Sequence, residues 1–266
     1  NGTLIKLGIN TATLSGLQTY TGNTAVTGSL IYQNNVAPTI PSFTGTGSIA
    51  IQPTGTSFSS GVLSNYNFAN TLSGLTLGKS GNTASVTVNS AISIDGDVNL
   101  RGGNVAISNT VATTAGKTIT IEASGNAAQT AAITTDKLAL QGTGNFTLNN
   151  LSNDVNTLAA GTTGSRLGSL SYVNVDALTI GSVGVQSGIH TSETQNIATL
   201  VGDLTLAQNL STTNTTSSAI SLNAGRSAVA GTASGGNIIV SGSPTVSVGA
   251  GGRATLFSGS LTDSTG

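Results

Sequence analysis

Nine carboxylates could support acid–base or metal chemistry: Asp95, Asp97, Glu122, Asp136, Asp154, Asp176, Glu193, Asp203 and Asp263. Glycoside cleavage needs two carboxyls roughly 5–10 Å apart, usually beside basic and sugar-stacking groups. Asp95, Asp97 and Arg101 make the one tight cluster. Asp95 and Asp97 flank Gly96, and Asp-Gly-Asp is ordinary turn chemistry, because these residues bond their own backbone or tolerate positive φ. Calcium takes roughly six to eight oxygens, more than two carboxylates supply. The cluster therefore reads as a turn, and the sequence assigns no catalytic, cofactor-binding or metal-binding residue.

The other reactive groups read the same way. His190 is the single histidine, and a triad built on it needs a nucleophile held in a strained elbow. No serine sits in such a setting, so His190 reads as part of a surface turn after Ile189. Lys79-Ser80 resembles the end of a phosphate loop, but the first glycine of that motif would fall on Ser73 and no helix follows. Thr-x-Thr at 11/13, 44/46, 54/56 and 118/120 is scattered, whereas an ice-binding face needs it once per structural repeat. Strand propensity of Thr explains it better. Five aromatics, Tyr32, Phe43, Phe58, Tyr66 and Phe68, fall between residues 32 and 68. They are the candidate contact surface, the alternative being that they fill or cap the edge of the fold.

The elements that must position these groups are short strands. Leu75-Thr-Leu77, Val86-Thr-Val88, Ile92-Ser-Ile94, Val98-Asn-Leu100, Val105-Ala-Ile107, Ile119-Thr-Ile121 and Leu138-Ala-Leu140 alternate apolar with small residues. Period two puts one side inward and one outward. Turn-formers separate the runs, and no stretch has a capped helical period. The pattern also recurs. One apolar track reads Leu77, Leu100, Ile121, Leu140, Leu158, Ile180, Leu200, Leu222, Val240. A second reads Val88, Ile107, Ala128, Leu148, Leu170, Val185, Leu206, Val229, Val248. A fixed period near twenty residues is a solenoid signature. The expectation is an all-β parallel β-helix over 1–266, with roughly three short strands per coil. Roughly twelve coils about 4.8 Å apart would make a rod of about 60 Å. A β-sandwich would need blocks of about 100 residues, and none is visible. Residues 32–47, with Pro38 and Pro41, and residues 161–172 break the rhythm and are expected to be loop excursions. Strand character continues to both ends, which suggests a piece of a longer rod, or one that continues through copies of itself.

Composition narrows the function classes. Only 6% of residues are charged, against about 25% in an ordinary domain. Net charge is -1 and the eight basic residues are dispersed, so no patch can neutralise a nucleic-acid backbone. No apolar run approaches the roughly 20 residues of a spanning helix. There is no Cys, hence no disulfide or thiolate site. Apolar residues make up 37% of the chain and are periodic, unlike a disordered chain.

Residues 74–125, with Gly-Leu-Thr-Leu-Gly-Lys-Ser-Gly-Asn-Thr-Ala-Ser-Val-Thr-Val and Ile-Ser-Ile-Asp-Gly-Asp-Val-Asn-Leu-Arg-Gly-Gly-Asn-Val-Ala-Ile, resemble repeats of giant secreted bacterial adhesins related to filamentous haemagglutinin. The blocks Leu151–Ala160 and Ser171–Gly181 resemble a recurring element of the same exoproteins, which include those of two-partner secretion. The resemblance implies a right-handed parallel β-helix shaft, export as an unfolded chain and an extracellular, cell-surface or secreted adhesive fibre. It implies no enzyme and no cofactor. The expected partners are other copies of the chain or adjoining repeats, and a host, surface or glycan receptor. The alternative function is a carbohydrate-binding or carbohydrate-active β-helix protein.

Overall fold

Alternating apolar residues build 31 short strands of two to nine residues among the described residues, and in the computed structural model these coil into a parallel β-solenoid of about 10 turns with about 21 residues per turn. The structure describes residues 2–265 apart from 17, 19–21, 40, 230 and 233. Among the described residues there is no helix, and so none long and apolar enough to cross a membrane.

Each coil runs over three faces. The first face is a continuous ladder of eleven strands, from Thr11–Ser15 to Ile238–Val240. The second is a nine-stranded ladder from Val62–Ser64 to Ala254–Phe257. The third begins with Leu4–Lys6, Thr24–Val26, Ser42–Gly45 and Asn67–Phe68 and is taken up by Ile92–Ile94, Val111–Thr113 and the start of Ile133–Gln141. Parallel pairing demands that each strand return one full circuit later, which is what the twenty-residue period supplies.

Inward residues stack in register. One column on the first face is Ala12, Leu30, Ile49, Leu75, Val98, Ile119, Leu138, Leu158, Ile180, Leu206, Val240. The neighbouring inward column carries Leu77, Leu100, Ile121, Leu140 and Ala160. The core is this continuous stack, with Leu77, Leu100, Ile121 and Leu140 fully buried. About ten coils at about 4.8 Å give an axis of about 50 Å, shorter than twelve coils would give. The shortfall comes from long coils: circuits of 26 residues from Ile49 to Leu75 and from Ile180 to Leu206, and one of 34 from Leu206 to Val240.

The strand register also corrects the two apolar tracks. The first is right from Leu77 to Leu140 and then slips, because Leu140 stacks on Ala160 while Leu158 stacks on Leu138. Leu222 belongs to the second face, paired with Ile197, and Leu206 belongs to the first. In the second track Ala128 faces solvent beside inward Ala127, and Val185 and Val229 are exposed.

The irregular segments are narrower than expected. Tyr32 and Gln33 end strand Ser29–Gln33, and Ser42–Gly45 is again strand. Likewise 161–169 leaves the first face while Leu170–Asn174 rejoins the second. A third excursion had no sequence expectation. Between strands Leu178–Ile180 and Ile189–Thr191 the chain makes a hairpin, Ser182–Val183 with Gln186–Ser187, the single antiparallel pair among the described residues. Gly184 at φ 60 occupies the first tip position, the conformation a two-residue type II′ turn requires.

Candidate functional site

The five aromatics are not a contact surface. Tyr32, Phe43, Phe58 and Tyr66 are buried and Phe68 is half-buried. Tyr32, Phe43 and Phe68 sit on early strands, Phe58 and Tyr66 on the segments between strands, and all five pack into the core. Phe43 is the centre, stacked on Phe68 at 5.5 Å and edge-on to Tyr32 at 5.8 Å and Tyr66 at 5.6 Å. The phenols are served internally: Tyr66 Oη donates to Pro38 O at 2.7 Å, and Tyr32 Oη lies 3.0 Å from Thr24 Oγ1. Burial pushes the Tyr66 hydroxyl up to about 12. An aromatic side chain hides its large apolar area where the lumen is wide enough, which is the edge-filling alternative.

The acids are dispersed. Asp95 and Gly96 form the bend between Ile92–Ile94 and Asp97–Gly102, and Asp97 Oδ1 accepts from Thr118 N at 2.9 Å, one coil on. Arg101 turns away from both and pairs with Glu122, Nε to Oε2 3.7 Å, while Glu122 Oε1 accepts from Ser80 Oγ and Gly81 N. Asp154 and Asp176 come to neighbouring coils. Burial first, and then the Asp154 charge, raise the Asp176 carboxyl. No group of three or more His, Cys, Asp or Glu among the described residues could hold a metal.

His190 departs from the turn expected for it. It lies in strand Ile189–Thr191, only 6% exposed. Its Nδ1 is 2.7 Å from Ser211 Oγ on the next coil, and its Nε2 is 3.0 Å from Ser187 O at the hairpin base. Arg166 Nη1 donates to Ser211 Oγ at 2.9 Å and to the Ser211 and Thr191 carbonyls. Burial lowers the His190 pKa, the Ser187 contact opposes this, and the Arg166 charge lowers it further. A serine–imidazole pair with an oriented base is the outline of a nucleophile. Here Arg166 covers the hydroxyl, and the three groups rivet the hairpin base to the coil below. The spacing of 21 residues between His190 and Ser211 was the available signal.

The outward side of the first face is the remaining site. Its central row runs Thr13, Ile31, Ala50, Thr76, Asn99, Thr120, Ala139, Ala159. A flanking row runs Thr11, Ser29, Ser48, Gly74 and Asp97, and after Thr118 continues with Lys137, Thr157, Thr179 and Thr205. Thr118 and Thr120 are followed one coil on by Lys137 and Ala139, so no Thr-x-Thr array forms. Two hollows of about 330 and 350 Å³ lie along this face and share Asp97 and Asn99. A third of about 230 Å³ shares Gln141 and Gln186 with the second. The hairpin closes the trough at one end. Val183 packs on outward Ala139 and Ala159, and Gln141 Nε2 donates to Gln186 Oε1 at 3.0 Å. Among the charged groups of the face, Arg101 pairs with Glu122 and Lys137 sits 3.9 Å from Asp136, while Asp97 has neither cation beside it.

Comparison with protein-family models, with curated proteins and with solved structures finds no match to this chain.

Proposed function

We propose that the chain is a structural shaft of a secreted or surface-exposed bacterial fibre that mediates attachment. The observation that carries this reading is the uninterrupted eleven-strand ladder over a continuous apolar stack. Such a solenoid resists bending and local opening because every inner coil is paired on both sides. Its scarcity of charge lets copies or neighbouring chains lie close without repulsion. The outermost coils offer open strand edges and exposed apolar residues, Ile5, Leu7 and Ile9 on one, Leu256, Phe257 and Leu261 on the other. These fit the coils of another copy. The resemblance of residues 74–125 and 151–189 to filamentous-haemagglutinin-type repeats supports an extracellular, adhesive setting.

Negative-stain microscopy with solution scattering tests the shaft. A rod whose length matches about ten coils, or fibres of that width, is the expected result. A compact particle would sink it. Attachment itself is tested by coating beads with the purified chain and scoring their retention on cells; beads no stickier than albumin-coated ones would remove the adhesive part.

A further inference from the structure

We propose that the outward trough of the first face binds a neutral, linear polysaccharide lying parallel to the solenoid axis, with the hairpin at Ser182–Ser187 as its end stop. The inference concerns a lateral face and stands whether or not the shaft forms fibres.

Three features point to this ligand class. The first is the lining. Hydroxyls and amides recur once per coil and are already coupled along the axis: Ser29 Oγ lies 2.9 Å from Ser48 Oγ, and Asn99 Nδ2 is 3.4 Å from Thr76 Oγ1. Small apolar surfaces, Ala50 on the floor and exposed Val185 at the hairpin tip, lie among them. A pyranose chain presents the same mixture, hydroxyls at its edges and C–H patches on its faces. The repeat of about 4.8 Å per coil is comparable to the advance of one extended sugar unit, so each coil meets about one sugar.

The second feature is charge. An anionic glycan or phosphate polymer needs unpaired cations. Arg101 faces Glu122 and Lys137 faces Asp136, while Asp97 contributes a negative charge within the trough itself. A neutral chain incurs no such mismatch.

The third is shape. A second shaft laid flush on this face would collide with the hairpin, which rises over Ala139 and Ala159. A single narrow chain fits between the rows and ends against Gln186, whose side chain is fixed by Gln141.

The test is affinity electrophoresis of the purified chain through gels containing a neutral linear glucan or mannan, with alginate and polygalacturonate as anionic probes. Retardation by at least one neutral polymer and by neither anionic one is expected. Asn99→Leu combined with Thr120→Leu removes an amide and a hydroxyl from the trough, and binding should weaken at least tenfold. Thr147→Leu, an exposed outward position on the second face, should leave it unchanged. Thermal melts of each variant establish that the fold is retained. Equal loss in both variants, retention on the anionic gels alone, or no retention by any neutral polymer would each overturn the proposal. Concentration-dependent dimerisation abolished by the Asn99/Thr120 pair would also overturn it, in favour of lateral self-association.

Discussion

Asn174 grips Val155, one coil earlier, with both ends of its amide: Nδ2 donates to Val155 O at 3.1 Å and Oδ1 accepts from Val155 N at 3.0 Å. Asn174 is fully buried, and the same Oδ1 accepts from Tyr172 Oη at 2.9 Å. The side chain stands in for a strand residue where the chain turns a corner and ladder pairing lapses. Asn153 does the same work one coil before, its Nδ2 bonded to Val173 O and its Oδ1 to Ile133 N. A buried backbone group without a partner loses more than a bond contributes, so these corners decide whether adjacent coils stay closed.

Asn174→Leu should therefore destabilise the protein by about 3 kcal/mol, since a donor, an acceptor and the Tyr172 hydroxyl are stranded together. Because a solenoid unfolds through nearest-neighbour units, the loss should be local as well as global. Urea unfolding gives the first, and hydrogen exchange at the Val155 amide the second. Unchanged exchange there would refute the bridging role.

His190 ties stability to pH. Its folded-state pKa is lowered, first by burial and then by Arg166, against the Ser187 contact. The stabilisation is present in full above the ordinary histidine range and is lost as pH falls from there through the lower folded-state value. Between pH 8 and 5 the wild type should lose melting temperature, and the hairpin, riveted through Ser187 O, should become the earliest protease-sensitive segment. His190→Gln should flatten that part of the profile. A wild-type profile already flat over this range would contradict the assignment.

The regular half of this architecture was legible because its coils carry branched apolar residues at constant spacing. Leu77, Leu100, Ile121 and Leu140 follow one another in one column. The signal fails where the inward residue is small or polar. Ala160 continues that column and Gln195 sits inward beneath Leu170, yet neither stands out by hydropathy against larger apolar neighbours such as Leu158. Insertions add a second difficulty, since the hairpin and the 225–236 loop lengthen their coils without disturbing the stack. Aromatic clustering marked a real neighbourhood, but linear proximity carries no information about which side of a strand faces the lumen until register is known. The trough is composed of residues common throughout the chain, so only stacking distinguishes Thr76, Asn99 and Thr120 from dozens of similar ones.

Asp176 acts with the opposite sign to His190. Burial and then the Asp154 charge raise the Asp176 pKa, so the protonated form is favoured in the folded chain. Its stabilisation is complete below the unfolded carboxyl value and is lost as pH rises through the folded one. Asp154→Asn removes the like charge and should raise stability at pH 7 by about 0.2–1 kcal/mol, the scale of facing like charges on paired strands. Near pH 3, below the raised range of the Asp176 carboxyl, that group is protonated and the substitution should do little. A gain equal at both pH values would mean that packing, not charge, is responsible.

Phe43 separates an interior role from a contact role for the aromatic cluster. It is fully buried and touches the rings of Tyr32, Tyr66 and Phe68. Phe43→Ala opens a cavity where three rings meet and should cost about 3–5 kcal/mol, with the early coils opening first. Phe43→Leu keeps most of the volume and should cost much less. Neither change alters the outward face, so any variant that remains folded should bind neutral glycan, or adhere to cells, as the wild type does. Denaturant melts paired with the retention assays decide it. A folded Phe43→Leu protein that had lost adhesion would restore the aromatic residues as a contact surface and would require the lumen to open during binding.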